Sequence, residues 1–183
     1  MTDGHDISSW PDRVEALVDR IGLPLREGRV IAECDSTQDQ ARVMGSGALV
    51  VAGRQVAGRG QRGNQWADTG SDGLAFSMAL PATAEPNRSL ALAAAIVSSL
   101  QSHVSTEVKP PNDVLCQGRK LSGVLIEQID GVAVIGVGVN VLQESWPEEL
   151  EATAISLAEA GVSMSRIEVL ELLLPALVTA WSH

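Results

Sequence analysis

The feature that most constrains this chain is an abrupt change of character within residues 48–66. The segment begins as an apolar run rich in β-branched residues, typical of a strand, and becomes a stretch dense in glycine and arginine without acidic residues. Its glycines and arginines are Gly53, Gly58, Gly60, Gly63, Arg54, Arg59 and Arg62. Glycine lets a backbone approach a ligand closely, and arginine presents a planar fork of donors to carboxylate and phosphate oxygens. Because the whole chain carries a formal net charge of −10, this cationic loop predicts an anion-binding site.

Residues 58–63 also match G-x-G-x-x-G, the dinucleotide-binding pattern. That pattern requires its last glycine to open a helix whose N-terminus holds the pyrophosphate. Residues 64–73 have no helical apolar period and contain two further glycines, so a Rossmann site is disfavoured. A flexible surface loop without function is the other alternative, although so many arginines among glycines are unusual in a mere connector.

Length and composition indicate one globular domain over residues 1–183. A hydrophobic content of 45% with 20% charged residues is ordinary for a folded protein and argues against disorder. No apolar run approaches the length of a membrane span, and the first residues lack a signal-peptide apolar region, so we expect a cytoplasmic protein without membrane contact. The excess of acidic over basic residues, 23 against 13, argues against general nucleic-acid binding.

Cysteine and histidine give no sign of a metal site or a disulfide framework. The two cysteines are Cys34 and Cys116, and the three histidines are scattered along the chain without metal-ligand spacing. An acyl-thioester nucleophile at Cys116 is an alternative, but no histidine lies near it in sequence. We therefore assign no metal ligand to the chain.

Periodicity predicts an α+β domain with a mixed β-sheet backed by helices. The predicted helices are residues 11–21, 35–44 with its capping residues, 89–102, 153–160 and 165–181. The predicted strands are residues 29–34, 49–52, 74–80, 106–109, 121–129 and 132–141. Asp130 and Gly131 between the last two strands predict a two-residue hairpin, whose exposed edge could pair with a second copy of the chain. Strands in hairpins with helices on one side exclude a doubly wound sheet.

A second informative stretch covers residues 108–128. Lys109 stands at a predicted strand end beside two prolines, which stiffen the backbone and hold the amine in position. Asn112 and Asp113 follow at once, and a turn and a basic pair follow at residues 117–120. Judged alone, Lys109 would be an ordinary solvated lysine.

Four segments together resemble, in order and spacing, the biotin protein ligases. They are DSTQDQA at 35–41, GRQVAGRGQRGNQW at 53–66, KPPNDVLCQGRKLSGVLIE at 109–127 and VIGVGVNV at 134–141. The corresponding family patterns are D-S-T-N, Q-x-A-G-R-G-R-x-G-x-x-W, K-W-P-N-D-x-x-x-x-x-R-K-x-x-G-I-L-x-E and G-x-G-x-N-V. The resemblance covers nearly the whole chain and is more biotin-like than lipoate-like. It implies a class II aminoacyl-tRNA-synthetase-like catalytic domain.

The resemblance implies a reaction in two steps. Biotin carboxylate attacks the α-phosphorus of ATP to give biotinyl-5′-AMP, and a lysine of a biotin carboxyl carrier domain of a carboxylase then attacks the anhydride. Both steps build negative charge in a dry pocket, where fixed cations help most. Lys109 is expected to bridge carboxylate and α-phosphate oxygens, and Arg59 and Arg62 are expected to hold them with backbone amides of the glycine loop. Such a loop is expected to order when it is filled.

The remaining roles implied by the resemblance fall into two groups. Biotin contacts are expected from Ser36, Thr37, Gln38, Gln55, Arg59, Gly60, Gln61, Lys109 and Gly123. ATP contacts are expected from Gly58, Arg59, Arg62, Trp66, Asn112, Lys120 and Asn140. The expected catalytic residues are Lys109 and Arg59. Mg²⁺ normally accompanies such ATP chemistry, with ligands coming largely from phosphates and water.

Simpler readings exist for several of these residues. Ser36 and Thr37 suit helix capping alone, and Trp66 suits an ordinary core position. Asp113 suits a turn residue as well as an outer contact to the metal. Lipoate or octanoyl transfer and a biotin- or adenylate-binding module without transfer are the alternative functions. A lipoyl pocket accepts a flexible apolar chain, whereas the urea of biotin needs polar partners.

The chain departs from the family patterns at three positions and at its ends. Gln38 replaces an asparagine, Gln61 replaces an arginine of the glycine loop, and Pro110 replaces a tryptophan. The family's winged-helix DNA-binding segment and its small C-terminal β-barrel are not expected within residues 1–183. The resemblance therefore predicts a single catalytic domain.

The loss of one loop arginine leads to a first prediction. With Gln61 in place of that arginine, one positive charge near the adenylate is missing, so we expect a Gln61→Arg variant to release less adenylate. Free biotinyl-adenylate in solution, quantified for both proteins, checks this. Equal release from the two proteins would contradict it.

Overall fold

A computed structural model describes residues 7–182 of the chain. The helices are α1 (Trp10–Ile21), α2 (Thr37–Met44), α3 (Arg88–Leu100) and α4 (Arg166–Ser182). The strands are β1 (Glu27–Cys34), β2 (Ala48–Gln55), β3 (Gly58–Arg59), β4 (Gln65–Trp66), β5 (Gly73–Pro81), β6 (Thr106–Lys109), β7 (Asp113–Cys116), β8 (Arg119–Ile129) and β9 (Val132–Asn140).

Seven strands form one mixed sheet in the order β1-β2-β5-β9-β8-β7-β6. Only β1 and β2 pair in parallel, and each later neighbour pair is antiparallel. The two remaining strands, β3 and β4, form a separate ribbon joined by a 3₁₀ turn at Gln61–Gly63. The predicted α+β class with a mixed sheet is confirmed.

The two faces of the sheet carry different cores. Along β5, Leu74, Phe76, Met78 and Leu80 point into a large aliphatic core with residues of α1, α3 and α4. On the opposite face, Ala79 joins a small cluster with Ala41 of α2. Helices therefore lie on both faces, and the prediction of helices on one side is wrong for α2. A helix of eight residues carries too weak a pattern to show which face it covers.

The prediction of a helix at residues 153–160 is wrong, because the structure has turns there. Besides local turn bonds such as Ala160 N–H to the Ser156 carbonyl, the segment bonds to the ends of two strands. Lys120 donates its N–H to the Thr153 carbonyl at 2.7 Å, and Ile155 donates back to Lys120 at 3.0 Å. Leu157 donates to the carbonyl of Asn140 at 3.1 Å. Tertiary pairing thus overrides helix propensity in this segment.

Two tight turns shape the β6–β9 half of the sheet. Gln117 and Gly118 have φ of 52° and 74° and join β7 to β8. Strand β7 was not predicted, because its four residues are too few for sequence periodicity to reveal. Asp130 and Gly131 have φ of 50° and 78°, as expected for the predicted hairpin. That hairpin joins two interior strands, but β7 pairs with β8 only as far as Gly123. The open edge predicted at the hairpin is thus limited to residues 125–129 of β8.

None of the helices within residues 7–182 is long and apolar enough to cross a membrane.

The large core depends on the single phenylalanine of the chain. Phe76 is fully buried on β5 between β2 and β9. We expect Phe76→Ala to lower the free energy of unfolding by about 3–5 kcal/mol, since it leaves a cavity among rigid neighbours. Urea denaturation measures the change. Val43→Ala, at a side chain that is 87% exposed, is the control and should stay within about 0.5 kcal/mol of wild type.

Candidate ligand-binding site

Glycines form the floor of the candidate site. Gly123 on β8 pairs with Gly138 on β9, and Gly136 lies two residues before Gly138 on the same face. A Cβ atom at Gly138 would lie 2.5 Å from the Trp66 ring, and one at Gly136 would lie 3.0 Å from the Gln38 amide carbon. The absence of side chains therefore lets Trp66 and Gln38 lie directly on the sheet. Such a close approach to the backbone explains why glycine occupies these positions within the strands.

A cavity of about 250 Å³ lies over this floor. The predicted site residues that line it are Ser36, Thr37, Gln38, Gln55, Arg59, Gly60, Gln61, Arg62, Trp66, Lys109, Asn112, Lys120 and Gly123. We call it the first cavity. Segments far apart in the sequence thus meet at one place, as the resemblance implied, while the individual roles stay predictions.

One wall of the first cavity is a network of short polar side chains. The Gln55 side-chain oxygen accepts from the Thr37 backbone N–H at 2.8 Å and from its hydroxyl at 3.1 Å. The Thr37 hydroxyl also lies 2.8 Å from that of Ser77. Ser36 precedes α2 and is buried, yet its side chain makes no capping bond. Capping of α2 therefore falls to Gln55, and the capping-only reading does not describe Ser36.

The Arg59 side chain is held by acidic residues at the cavity rim. It donates to both Asp39 carboxylate oxygens, at 2.7 and 2.8 Å, and to Glu127 at 3.3 Å. Arg42 of α2 contacts the same Glu127 oxygen at 2.6 Å. Hydrogen bonds from Arg59 hold the pKa of Asp39 below its ordinary value. The guanidinium thus fastens the β3–β4 ribbon to α2 and β8.

Sequence reasoning missed these acidic partners. The glycine-rich segment has no acidic residue of its own, and its partners come from α2 and β8. Both partners nevertheless fall inside the segments that carry the resemblance, since Asp39 follows Gln38 and Glu127 ends the segment 109–127. An alternation argument along β8 would have put Glu127 on the same face as Gly123 and Leu125.

A second cavity, of about 330 Å³, adjoins the first. Trp66, Lys109 and Lys120 line both cavities, and the indole of Trp146 lines the second. The Lys120 ammonium lies 2.7 Å from an Asp113 oxygen and 5.6 Å from the centre of the Trp66 ring. Trp66 and Lys120 therefore form the boundary between the cavities, and Trp66 is only partly buried there.

Lys109 at this boundary and Arg62 in the first cavity are, among the described residues, the cavity-lining cations without a protein partner. Lys109 is exposed at the end of β6, and within residues 7–182 neither side chain makes an ion pair or hydrogen bond. Arg54, the first arginine of the loop, lies outside the cavities because it pairs with Asp68 and Glu33. Free cationic charge is thus concentrated at Lys109 and Arg62.

Gly58 and Asn140 do not line the first cavity, and Asn112 lines it with its amide already engaged. Gly58 packs under Gln55 and Trp66. Asn140 is buried, donates to the Lys120 and Ile155 carbonyls at 3.0 and 3.1 Å, and borders the second cavity. The Asn112 side chain donates to the Val124 carbonyl at 2.8 Å. The two asparagine side chains thus bond to backbone carbonyls around the site, and the ATP contacts expected of all three residues stay predictions.

The arrangement is two adjoining cavities separated by a tryptophan and a lysine. A family model described as the biotin/lipoate A/B protein ligase family matches residues 32–143. The chain belongs to this family.

Individual relatives agree with this assignment. The chain is 36% identical over 139 residues to the bifunctional ligase/repressor BirA of Bacillus spizizenii, covering 68% of this chain and 43% of that protein. It is 32% identical over 167 residues to the biotin--[acetyl-CoA-carboxylase] ligase of Paracoccus denitrificans, covering 80% and 70%. It also resembles the solved structure of biotin protein ligase from Aquifex aeolicus in complex with biotin and ATP, with a TM-score of 0.78, 31% identity and coverage of 86% and 71%. The chain spans about half the length of several curated relatives.

The Arg59–Asp39 bridge predicts a pH dependence. A carboxyl group with a lowered pKa in the folded state contributes stability above its ordinary pKa, and that contribution is lost as the pH falls through the lowered value. We expect wild type to exceed Asp39→Asn in unfolding free energy at pH 7 by at most about 1 kcal/mol, because the pair is half-exposed. The difference should begin to shrink as the pH falls below the ordinary Asp value of about 3.9 and should go on shrinking toward the lowered value. Urea denaturation between pH 7 and 3 measures it, and a difference independent of pH would contradict the bridge.

Proposed function

We propose that this domain activates biotin with ATP to form biotinyl-5′-AMP and transfers the biotinyl group to a lysine of a biotin carboxyl carrier domain. The observation that carries the proposal is the pair of adjoining cavities whose shared boundary holds Trp66, Lys109 and Lys120. A reaction that joins an acid to a nucleotide needs two ligands in contact and cations at the point where they meet. Family membership and the similarity to a ligase bound to biotin and ATP support the same chemistry.

The first cavity suits biotin. A bicyclic urea ring is flat, and it needs both hydrogen-bond donors and acceptors around an otherwise apolar body. The floor of Gly123, Gly136 and Gly138 provides a flat surface. The buried hydroxyl of Ser36 and the Thr37–Gln55 pair supply the polar groups at one wall. We place the urea at that wall and the valeryl carboxylate toward Lys109 and Lys120.

The second cavity suits the adenosine part of ATP. It has an aromatic face at Trp66, a second indole at Trp146 and apolar lining from Leu150 and Ala154. The adenine of ATP can stack on such a surface while the phosphates of ATP reach the boundary lysines. Arg62 lies in the turn of the ribbon and lines the first cavity, where it can hold phosphate oxygens.

In the first step, a biotin carboxylate oxygen attacks the α-phosphorus, and pyrophosphate leaves. The two reactants repel one another because both are anions. An ammonium between them offsets this repulsion, and its effect grows as charge builds on the α-phosphate oxygens. In the second step, the neutral amine of the carrier lysine attacks the acyl carbon, the bond from that carbon to the AMP oxygen breaks, and AMP leaves. The amide forms as the lysine nitrogen releases a proton to solvent.

Arg59 has a different task in this scheme from the one first expected. Its side chain is committed to Asp39 and Glu127, so it holds the ribbon in place while the ribbon backbone lines the first cavity at Gly60 and Gln61. We propose that these amides, aided by Arg62, face the ligand oxygens. Direct contact of Arg59 with an anion requires that it leave its carboxylates.

Magnesium fits this scheme only as a companion of ATP. Within the described residues no three His, Cys, Asp or Glu side chains are placed to hold a metal ion. Asp113, the acidic residue nearest the boundary, is already paired with Lys120. As the resemblance implied, we assign the ion largely to phosphates and water.

Partners and location remain predictions. Transfer requires that the carrier lysine reach the boundary between the cavities, and the open side of Lys109 provides access there. A cytoplasmic location, the absence of nucleic acid as a partner and a homodimer through residues 125–129 of β8 are expectations from the sequence that the geometry leaves untested.

The proposal is tested by incubating the chain with labelled biotin, ATP–Mg²⁺ and a purified biotin carboxyl carrier domain. Label on the acceptor lysine is the expected result. Labelled adenylate without transfer would instead indicate an activating or binding module, and use of lipoate in place of biotin would indicate the lipoyl branch of the family. The absence of both products, adenylate and biotinylated carrier, would contradict the proposal.

The boundary lysines give a prediction for catalysis. We expect Lys109→Ala to keep the fold and to lower adenylate formation at least about 100-fold, the scale of one preorganised donor. Arg29→Ala, at an exposed cation on the edge strand β1, is the matched control. Single-turnover formation of labelled adenylate measures both variants.

Lys120→Ala separates the roles of the two lysines. Its ammonium lies closer to the floor, 3.3 Å from the Cβ position that Gly123 lacks. Near-normal turnover of Lys109→Ala beside a large loss in Lys120→Ala would refute the bridging role of Lys109 and move it to Lys120.

A further inference from the structure

A fully buried arginine joins the two ends of the ligand-binding segment. Arg166, the first residue of α4, donates from Nη1 to the Gly53 carbonyl at 2.6 Å and to the Gly73 carbonyl at 3.3 Å. Gly53 belongs to β2 and Gly73 begins β5, so these carbonyls flank residues 54–72 on either side. One guanidinium thus bridges the two stems just beyond their last sheet pair, Ala52 with Ala75, at the point from which this segment emerges.

The burial of Arg166 is costly and needs compensation. Its guanidinium stacks on the Trp10 ring of α1, with 4.6 Å to the ring centroid. Burial lowers the pKa of Arg166 to about 10, against an opposing effect of Asp72. A hydrophobic side chain would suit α4 packing at less cost, since buried charges rarely add net stability. The carbonyls at the segment base explain why a cation stands in this position.

A second arginine closes the same base from the solvent side. Arg54 and Asp68 lie near opposite ends of the segment and form a two-pronged ion pair, with Nε–Oδ1 at 3.0 Å and Nη2–Oδ2 at 2.5 Å. Arg54 also donates to Glu33 of β1 at 3.2 Å. Planar fork-to-fork pairs fix orientation as well as distance.

The residues between these two closures line the first cavity. They are Gln55, Arg59, Gly60, Gln61, Arg62, Asn64, Gln65 and Trp66. The segment begins with the last two residues of β2, and its other regular structure is the β3–β4 ribbon with its 3₁₀ turn. Its position over the glycine floor depends on its two stems, on the Arg59 contacts, on the backbone bonds that Val56 and Ala57 donate to residues 34 and 35, and on the packing of Trp66.

We propose that Arg166 and the Arg54–Asp68 pair are positioning residues, which fix the stems of residues 54–72 and so hold Gln55 and Trp66 at their working distance. None of the three side chains of this clamp lines either cavity. The clamp acts by restricting the freedom of the chain that carries the ligand contacts, which would otherwise be lost on binding. The contacts of the clamp do not depend on the proposed function. Only the choice of biotin and ATP as ligands in the binding assay rests on the proposed function.

The matched control is another arginine bridge of the same type. Arg13 of α1 donates to both oxygens of Glu171 on α4, at 2.8 and 2.7 Å, away from the ligand-binding segment. A purely structural role for the clamp predicts that Arg54→Gln behaves like Arg13→Gln. A positioning role predicts that only the clamp variants change the segment and its ligands.

Native-state trypsin cleavage after Arg59 and Arg62 reports on the segment without any ligand. We expect Arg54→Gln and Asp68→Asn to raise this cleavage rate about fivefold at a thermal midpoint equal to that of Arg13→Gln, because the pair is half-exposed. Arg166→Lys, which keeps the buried charge but lacks the planar guanidinium that stacks on Trp10, should raise it more. Cleavage rates equal to those of Arg13→Gln would overturn the proposal.

Ligand affinity provides the second readout. Biotin and ATP should each bind several-fold more weakly to Arg54→Gln, with KM raised and kcat nearly unchanged once the site is saturated. Faster cleavage with unchanged affinities would also overturn the positioning role. If wild type itself binds neither biotin nor ATP while the clamp variants are cleaved faster, the proposed function fails and the clamp stands.

Discussion

Trp66 lies flat against the sheet because Gly138 leaves room beneath the indole, where even a methyl group would overlap the ring. This single contact determines where the first cavity ends and the second begins. Gly136 gives the same freedom to Gln38, and Gly123 receives the end of Lys120. The rest of the site is arranged around this bare patch of β8 and β9, since every wall is supplied by segments that reach over it.

The cations around that patch are of two kinds. Among the described residues, two of the four cations that line the cavities are paired, Arg59 with Asp39 and Lys120 with Asp113. Such pairs fix geometry more than they add stability, because half-exposed ion pairs contribute little free energy. Under the proposed function, the attraction on an anionic ligand comes mainly from the unpaired Lys109 and Arg62.

Sequence reasoning predicted the parts of this molecule that local rules determine. Alternation located β5, β8 and β9, the Asp130–Gly131 turn followed from dipeptide chemistry, and the motif segments assembled at one cavity. Sequence reasoning failed where contacts between residues far apart in the sequence determine the structure. The turns at residues 153–160 bond to strand ends, α2 lies on the far face, and the carboxylates that hold Arg59 come from other elements. A pattern of residue types carries no information about which side chains will meet across such separations.

The contact between Arg166 and Gly53 spans 113 residues of sequence. The Arg166 bridge between the stems of the glycine-rich segment can therefore form only after α4 has been synthesised and packed. Pairing of β2 with β5, up to Ala52 and Ala75, brings the stems together without it. Because contacts between residues far apart in sequence form late in folding, this bridge is added to stems that the sheet has already joined.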